Sequence, residues 1–266
     1  MMKAPEEWAT LPLHRGARAV VTAGASGIGR AIADRLISQG CHVAICDISD
    51  EELASYSAAH PEHLAVKADV SDELQVNRFF EQVGNELCGL DILINNAGIA
   101  GETGQIENLD ADAWRRCVNV GLTGHFLCAA QAVPMIRAAG GGSIVNISSV
   151  AGKFGYAFRT PYASVKYGVI GLTESLAKET GGDAIRVNAV LPGIVEGPRI
   201  QQVIAARAVT EGVSVEEMTC RYLANISMKT MVQAKDIAEL VSFLVSPLCR
   251  YVSGQAIAVC GNVETL

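Results

Sequence analysis

The stretch Ala17-Arg-Ala-Val-Val-Thr-Ala-Gly-Ala-Ser-Gly-Ile-Gly29 decides the reading of the fold. Ala17 to Thr22 is a short buried β run, Ala23 to Gly29 is a glycine-rich turn, and an apolar pattern through Ile32, Leu36 and Ile37 predicts a helix that stops at Gly40. A tight strand-to-helix turn needs glycine for its own geometry. It also lets an anionic group approach the backbone, where the first N–H groups of the helix have no partner within it. Both readings of the turn stand at this point, a structural connection and a phosphate cradle. The next strand, His42 to Asp47, ends in an acid 18 positions beyond Gly29. At that offset a carboxylate can accept hydrogen bonds from an adenosine ribose and repel a 2′-phosphate, which favours NAD over NADP. The competing reading is an acid that caps the helix starting near Asp50.

Strand and helix patterns then alternate. A helix over Glu51 to Ala59 leads to a strand at Leu64 to Ala68, closed by Asp69-Val70. A helix over Asp72 to Leu87 has the expected apolar stripe Leu74, Phe79, Val83 and Leu87, and a strand at Leu90 to Ile94 runs into Asn95-Asn96-Ala97-Gly98. The two amides are read either as turn-fixing or as ligand-binding. One helical region is expected over Ala111 to Ala138. It carries a polar Asn119 whose amide needs a partner, either local backbone or a water near the site. Strands at 143 to 148, Ile185 to Leu191 and Ala256 to Val259, with a helix over Ala234 to Val245, bring the count to seven strands. The expectation is a single α/β domain: a Rossmann-like, doubly wound, seven-stranded parallel sheet with helices on both faces.

The chemistry gathers in Ser143 to Lys178. Ile144, Val145 and Ile147 make a buried strand that delivers Ser149 to its carboxyl edge. Thr160 suits the N-cap and Pro161 the first position of the next helix. Tyr162 and Lys166 are four residues apart and share a helical face. Val165, Val169, Leu172 and Leu176 form a separate stripe that accounts for packing. A hydroxyl, a phenol and an amine are thereby brought within reach of one another.

Of the 266 residues, 50% are apolar and 18% charged, enough for a large core. A net charge of −7 with no basic run argues against nucleic acid or an anionic membrane surface as partner. Residues 1–14 read as an N-terminal extension without an apolar h-region, and 15–266 as the catalytic domain, so a cytoplasmic location is expected. The eight cysteines include no C-x-x-C pair and the five histidines no ligand spacing, so reduced thiols and no metal site are expected. The segment from about 196 to 229, after the end of a strand, is where a substrate lid belongs. Its four acids (Glu196, Glu211, Glu216, Glu217) balance four bases (Arg199, Arg207, Arg221, Lys229), so its net charge names no substrate class. Phe154, Tyr156 and Phe158 are expected to help shape the pocket.

Taken in order, the turn Thr22 to Gly29, Asp69-Val70, Asn95-Asn96-Ala97-Gly98, Ser149 with Tyr162-x-x-x-Lys166, and Pro192-Gly193 resemble the short-chain dehydrogenase/reductase family. The resemblance runs from Arg15 to Gly261. It implies a catalytic group of Ser149, Tyr162 and Lys166, with Asn119 supporting a water chain. It also implies dinucleotide contacts from Ser26, Gly27, Ile28 and Gly29 in the turn, from Asp47, Asp69 and Val70, from Asn96, Ala97 and Gly98, and from Tyr162, Lys166 and Ile194. Homotetramers or homodimers are implied too. Three positions depart from the family pattern: Ala23 in place of the first glycine of the turn, Gly197 in place of a threonine near the nicotinamide, and Cys260-Gly261-Asn262 in place of Asp-Gly-Gly.

The implied reaction is hydride transfer between NAD(H) and a secondary alcohol or ketone, a small molecule, with Tyr162 as general base or acid. An ordinary tyrosine titrates near 10, so the positive charge of Lys166 is needed to favour its anion. Two rival readings share the scaffold: an NADPH-dependent ketoreductase of acyl thioesters, which Asp47 disfavours, and a non-catalytic dinucleotide sensor, which an intact Ser149, Tyr162 and Lys166 disfavours.

Overall fold

A computed structural model describes residues 16–263, so the extension expected over 1–14 lies outside the described residues. Strands β1 Arg18–Thr22, β2 His42–Asp47, β3 Leu64–Lys67, β4 Ile92–Asn95, β5 Gly142–Ile147, β6 Ile185–Pro192 and β7 Ala256–Val259 form one parallel sheet in the order β3-β2-β1-β4-β5-β6-β7. The helices are α1 Gly27–Ser38, α2 Asp50–Ala59, α3 Glu73–Leu87, α4 Ala111–Val118, α5 Gly124–Ala138, α6 Thr160–Thr180, α7 Pro198–Glu211, α8 Val215–Ala224 and α9 Ala234–Val245. The strand order reverses at β1, where Val20 lies level with Ala44 of β2 on one side and Leu93 of β4 on the other. Open α/β sheets bind ligands in the crevice at such a reversal.

Strand alternation divides the core. Ala19 and Val21 pack on one face with Ile32 and Leu36 of α1 and Ile237 and Val241 of α9. Val20 packs on the other with Phe79 and Val83 of α3 and Cys128 and Ala132 of α5. All are essentially fully buried, each large one contributing roughly 1.5–3 kcal/mol. A third, smaller cluster joins α7 and α8: Ile204 and Ala208 of α7 close on Met218 and Tyr222 of α8, with Ile194, Ile226 and Val263.

Four expectations need correction. Leu74 is 66% exposed, and the buried stripe of α3 is Val76, Phe79, Phe80 and Val83. The Asp72 carboxylate caps α3 from outside, accepting from Leu74 N and Gln75 N, which sets that phase. The region 111–138 is two helices separated by a π turn at Asn119–Thr123. Helix α6 starts at Thr160 itself, Arg159 holding the cap position without a side-chain bond. Finally, Leu172 and Leu176 are only half-buried, while Lys166 and Thr173 sit inside. Among the described residues no helix is long and apolar enough to cross a membrane.

Candidate active site

The carboxyl edge at the reversal is knitted by side chains. Thr22 Oγ1 accepts from Asn96 N and Ala97 N at 2.9 and 3.0 Å, joining the ends of β1 and β4. Asn96 Nδ2 donates to Thr22 O and Ala23 O, each at 3.0 Å. A Cβ on Gly29 would fall 2.0 Å from Ala23 O and 2.5 Å from Asn96 Nδ2, so only glycine admits this contact. Ala23 has φ 48°, the left-handed conformation a glycine would adopt freely. The departure from the family's glycine therefore leaves the turn's shape intact at the cost of local strain. The Asp47 carboxylate accepts from Ala25 N (3.2 Å), Ile48 N (2.8 Å) and Ser49 N (3.2 Å), while the cap of α2 is Ser49, accepting from Glu52 N. The capping reading of Asp47 thus fails: its charge lies at the rim of the turn.

Ser26 precedes α1 without capping it, so the N–H groups beside Gly27, Ile28 and Gly29 are not taken up by that hydroxyl. That donor set, with an acid at the end of β2, fits the diphosphate and ribose of a dinucleotide. Further along the rim, Asp69 Oδ1 accepts from Ser71 N and Oγ. Val70 is buried against Gly124, where a Cβ would lie 2.7 Å from Val70 Cγ2. Ile194 is buried just past β6.

Opposite this rim stand Ser149, Tyr162 and Lys166. Ser149 follows β5, its Oγ accepting from Ala151 N at 3.1 Å, and is buried. Lys166 is 4% exposed; its Nζ donates to Ile147 O at 2.8 Å and lies 5.7 Å from the centre of the Tyr162 ring. A Cβ on Gly98 would lie 3.4 Å from Lys166 Nζ, so the Asn-Asn-Ala-Gly loop runs beside the amine. Desolvation pushes the Tyr162 phenol up, but Lys166, Arg199, the Ser149 hydroxyl and Arg159 together bring it below the ordinary tyrosine value. Lys166 is lowered too, by desolvation first and by Arg199, although Tyr162 and Cys117 oppose this. The pair is set up to move one proton.

Asn119 lies at the junction of α4 and the π turn. It is exposed at the start of the π turn and makes no side-chain hydrogen bond among the described residues. The π turn shifts the helical phase. Gly121 takes the position facing α6, where a Cβ would meet Val165 Cγ1 at 2.6 Å. Gly197 has φ 147°, a region that an L-residue such as threonine enters only with strain, so that departure is built into the backbone before α7. Tyr156 meets α8 through a hydroxyl–hydroxyl bond with Tyr222.

Several residues at the site carried no usable signal in the sequence. His125, fully buried, donates through Nε2 to Ala97 O (3.0 Å); desolvation first, then Lys166, hold it neutral with a pKa of about 3. Arg159 and Arg199 flank the Tyr162 ring, with their guanidinium carbons 4.9 and 6.0 Å from its centre. Cys117 is buried nearby, its thiol raised by desolvation against the pull of Lys166, Arg159 and Arg199. An open cleft of about 500 Å³ between 102–109 and Thr210 lies beside the site, lined by none of Ser149, Tyr162 and Lys166.

With this geometry in place, the comparisons agree on one class. A family profile described as enoyl-(acyl carrier protein) reductase matches residues 22–262. A cis-4-hydroxycyclohexanecarboxylate dehydrogenase of Sinomonas cyclohexanicum is 35% identical over 247 residues, covering 92% of this chain and 95% of the relative. A 2-dehydro-3-deoxy-L-rhamnonate dehydrogenase (NAD(+)) of Sphingomonas sp. (strain SKA58) is 33% identical, covering 95% and 97%. Among solved structures, an actinorhodin polyketide ketoreductase variant with NADPH superposes with a TM-score of 0.89 at 33% identity, covering 94% of this chain and 98% of that one. The chain belongs to the short-chain dehydrogenase/reductase family, oxidoreductases that act on secondary alcohols and ketones with a nicotinamide dinucleotide.

Proposed function

We propose that this protein is an NAD-dependent dehydrogenase of a secondary alcohol, with Tyr162 as the base that takes the hydroxyl proton and, in reverse, the acid that returns it. One observation carries this: a phenol whose pKa is lowered by Lys166 and Arg199 against desolvation, with the Ser149 hydroxyl in hydrogen-bonding reach. Ser149 orients the substrate oxygen. Lys166 holds the positive charge that favours the tyrosinate and would also bond the nicotinamide ribose. Bound NAD would supply the acceptor for the carbinol hydride. The set proposed to hold it is Ser26, Gly27, Ile28 and Gly29 at the diphosphate, Asp47 at the adenosine ribose, Asp69 and Val70 beside the adenine, and Asn96, Ala97, Gly98 and Ile194 along the rest. Asn119 is proposed to support a water chain to this group.

Residues 196–229 serve as the lid of this one domain. Exposed Phe126 on α5 and Tyr167 on α6 support assembly into dimers or tetramers, which light scattering would measure. The eight cysteines form no disulfide among the described residues, which suits the cytoplasm. The deciding experiment follows nicotinamide absorbance with a panel of secondary alcohols and both dinucleotides. NAD is expected to give the higher kcat/KM, and Tyr162→Phe is expected to retain NAD binding while losing roughly 10² to 10⁴ in turnover. Unimpaired turnover by that variant would overturn the role of Tyr162; a preference for NADP would overturn that of Asp47.

A further inference from the structure

The lid's charges are unequally spent. Arg207 pairs with Glu211, and Arg221 with Glu211 and Glu217, at 2.6 to 3.0 Å. Lys229 donates to Ala224 O. Arg199, at the start of α7, has no acid within ion-pair distance among the described residues and instead reaches out of the lid to donate to Gly98 O at 3.1 Å. From the other side, Arg159 donates to Ala100 O at 2.7 Å. Two guanidinium groups thus meet on carbonyls two residues apart, beside the reacting phenol and the buried Lys166. The acid in that loop, Glu102, is turned away to accept from Asp110 N.

Loop anchoring alone explains this poorly. Arg159 is 3% exposed, and its Nε has no hydrogen-bond partner among the described residues. A guanidinium offers five donors, and removing its charge from water without a carboxylate is costly. A neutral side chain would hold one backbone carbonyl without that cost. Stacking on Tyr156 and Tyr162 satisfies the faces of the Arg159 guanidinium but not its N–H edge. In a protein of net charge −7, three cations converge here around the Tyr162 phenol, with no carboxylate paired to Arg159 or Arg199 among the described residues.

We infer that Arg159 and Arg199 form a carboxylate subsite, so that the substrate is a hydroxy acid (or, in reverse, an oxo acid) whose carboxylate they hold while its carbinol faces Ser149 and Tyr162. This rests on the hydride-transfer reading above and adds its substrate class. Binding an anion there also matches charge to charge: a planar guanidinium edge meets a carboxylate with two parallel N–H donors.

The test uses matched compounds: 3-hydroxybutyrate against its methyl ester and butan-2-ol, and 4-hydroxycyclohexanecarboxylate against its methyl ester and cyclohexanol, each with NAD. The acids are expected to exceed their esters by about tenfold or more in kcat/KM. Unreactive cyclohexanecarboxylate is expected to inhibit competitively where the carboxamide does not. Arg199→Met, at an exposed position, should collapse the acid-to-ester ratio roughly ten- to hundredfold, mostly through KM, and Arg199→Lys should restore part of it. Arg221→Gln, which removes a lid arginine already paired with acids, should leave the ratio alone. Arg159→Gln should act like Arg199→Met if it folds. Neutral alcohols or esters used as well as the acids, or a ratio indifferent to Arg199→Met, would overturn the carboxylate subsite and leave hydride transfer standing. No turnover of any compound with either dinucleotide would overturn the hydride-transfer reading itself.

Discussion

The two walls of the site are built on opposite principles. On the wall proposed to hold the dinucleotide, the side chains beside the glycine turn are spent inside the protein: Thr22 Oγ1 serves two N–H groups, Asn96 Nδ2 two carbonyls and Asp47 three N–H groups. On the opposite wall, Arg159 and Arg199 each give a single bond to a carbonyl and have no acid partner among the described residues. The first wall is rigid because its bonds are closed. The second keeps donors in hand, which is what recognition of a variable substrate requires.

The comparison can be broken at its centre first. Lys166→Met removes the charge between the walls, so turnover near neutral pH should fall by about 10² or more, and the pH–rate midpoint for oxidation should move up because Lys166 lowers the Tyr162 phenol. A steady-state pH profile checks both; an unmoved midpoint would show that Lys166 does not tune the phenol. Asp47→Asn tests whether the closed wall also selects the cofactor. The NAD-to-NADP ratio of kcat/KM should drop about tenfold or more, as expected on losing one charge-assisted contact to ribose. Asn96→Ala tests closure itself, leaving Thr22 O and Ala23 O without their amide, which should cost about 1–3 kcal/mol in urea unfolding.

A pH-dependent effect is expected from His125. Its folded pKa of about 3 lies below the ordinary 6.5, so between these values the unfolded chain holds a proton that the folded one does not. Its contribution is complete above pH 6.5 and is lost as pH falls toward 3, at no more than about 1.4 kcal/mol per pH unit. His125→Gln should flatten the acid limb of the stability profile by up to that slope, as read from urea midpoints across this range.

The contrast between the walls also explains what was legible in the sequence. The dinucleotide wall is made by residues at fixed short spacings. Gly29 and Asp47 sit at βα and strand ends, and Tyr162 and Lys166 lie one helical turn apart, so periodicity locates them and the sheet with them. Leu74 misled because an exposed leucine fits the stripe nearly as well as Val76, and only the Asp72 cap fixes the phase. The break in the helix expected over 111–138 was not legible because nothing local announces a π turn at Asn119–Thr123. Arg159 and Arg199 were invisible as a pair: 40 positions apart, they meet only through the placing of α7, and counting the charges of 196–229 hid Arg199 among arginines whose acids are their own neighbours.

The bond between Thr22 and Asn96 spans 74 positions of chain. Translation adds roughly 5–20 residues per second, so the first strand and its turn leave the ribosome several seconds before the asparagine that closes them exists. Until then the glycine-rich segment has no amide to hold its carbonyls and Ala23 has no reason to keep its strained backbone. The first third of the nascent protein therefore waits with its turn unclosed, and the bonds that close it arrive with the fourth strand.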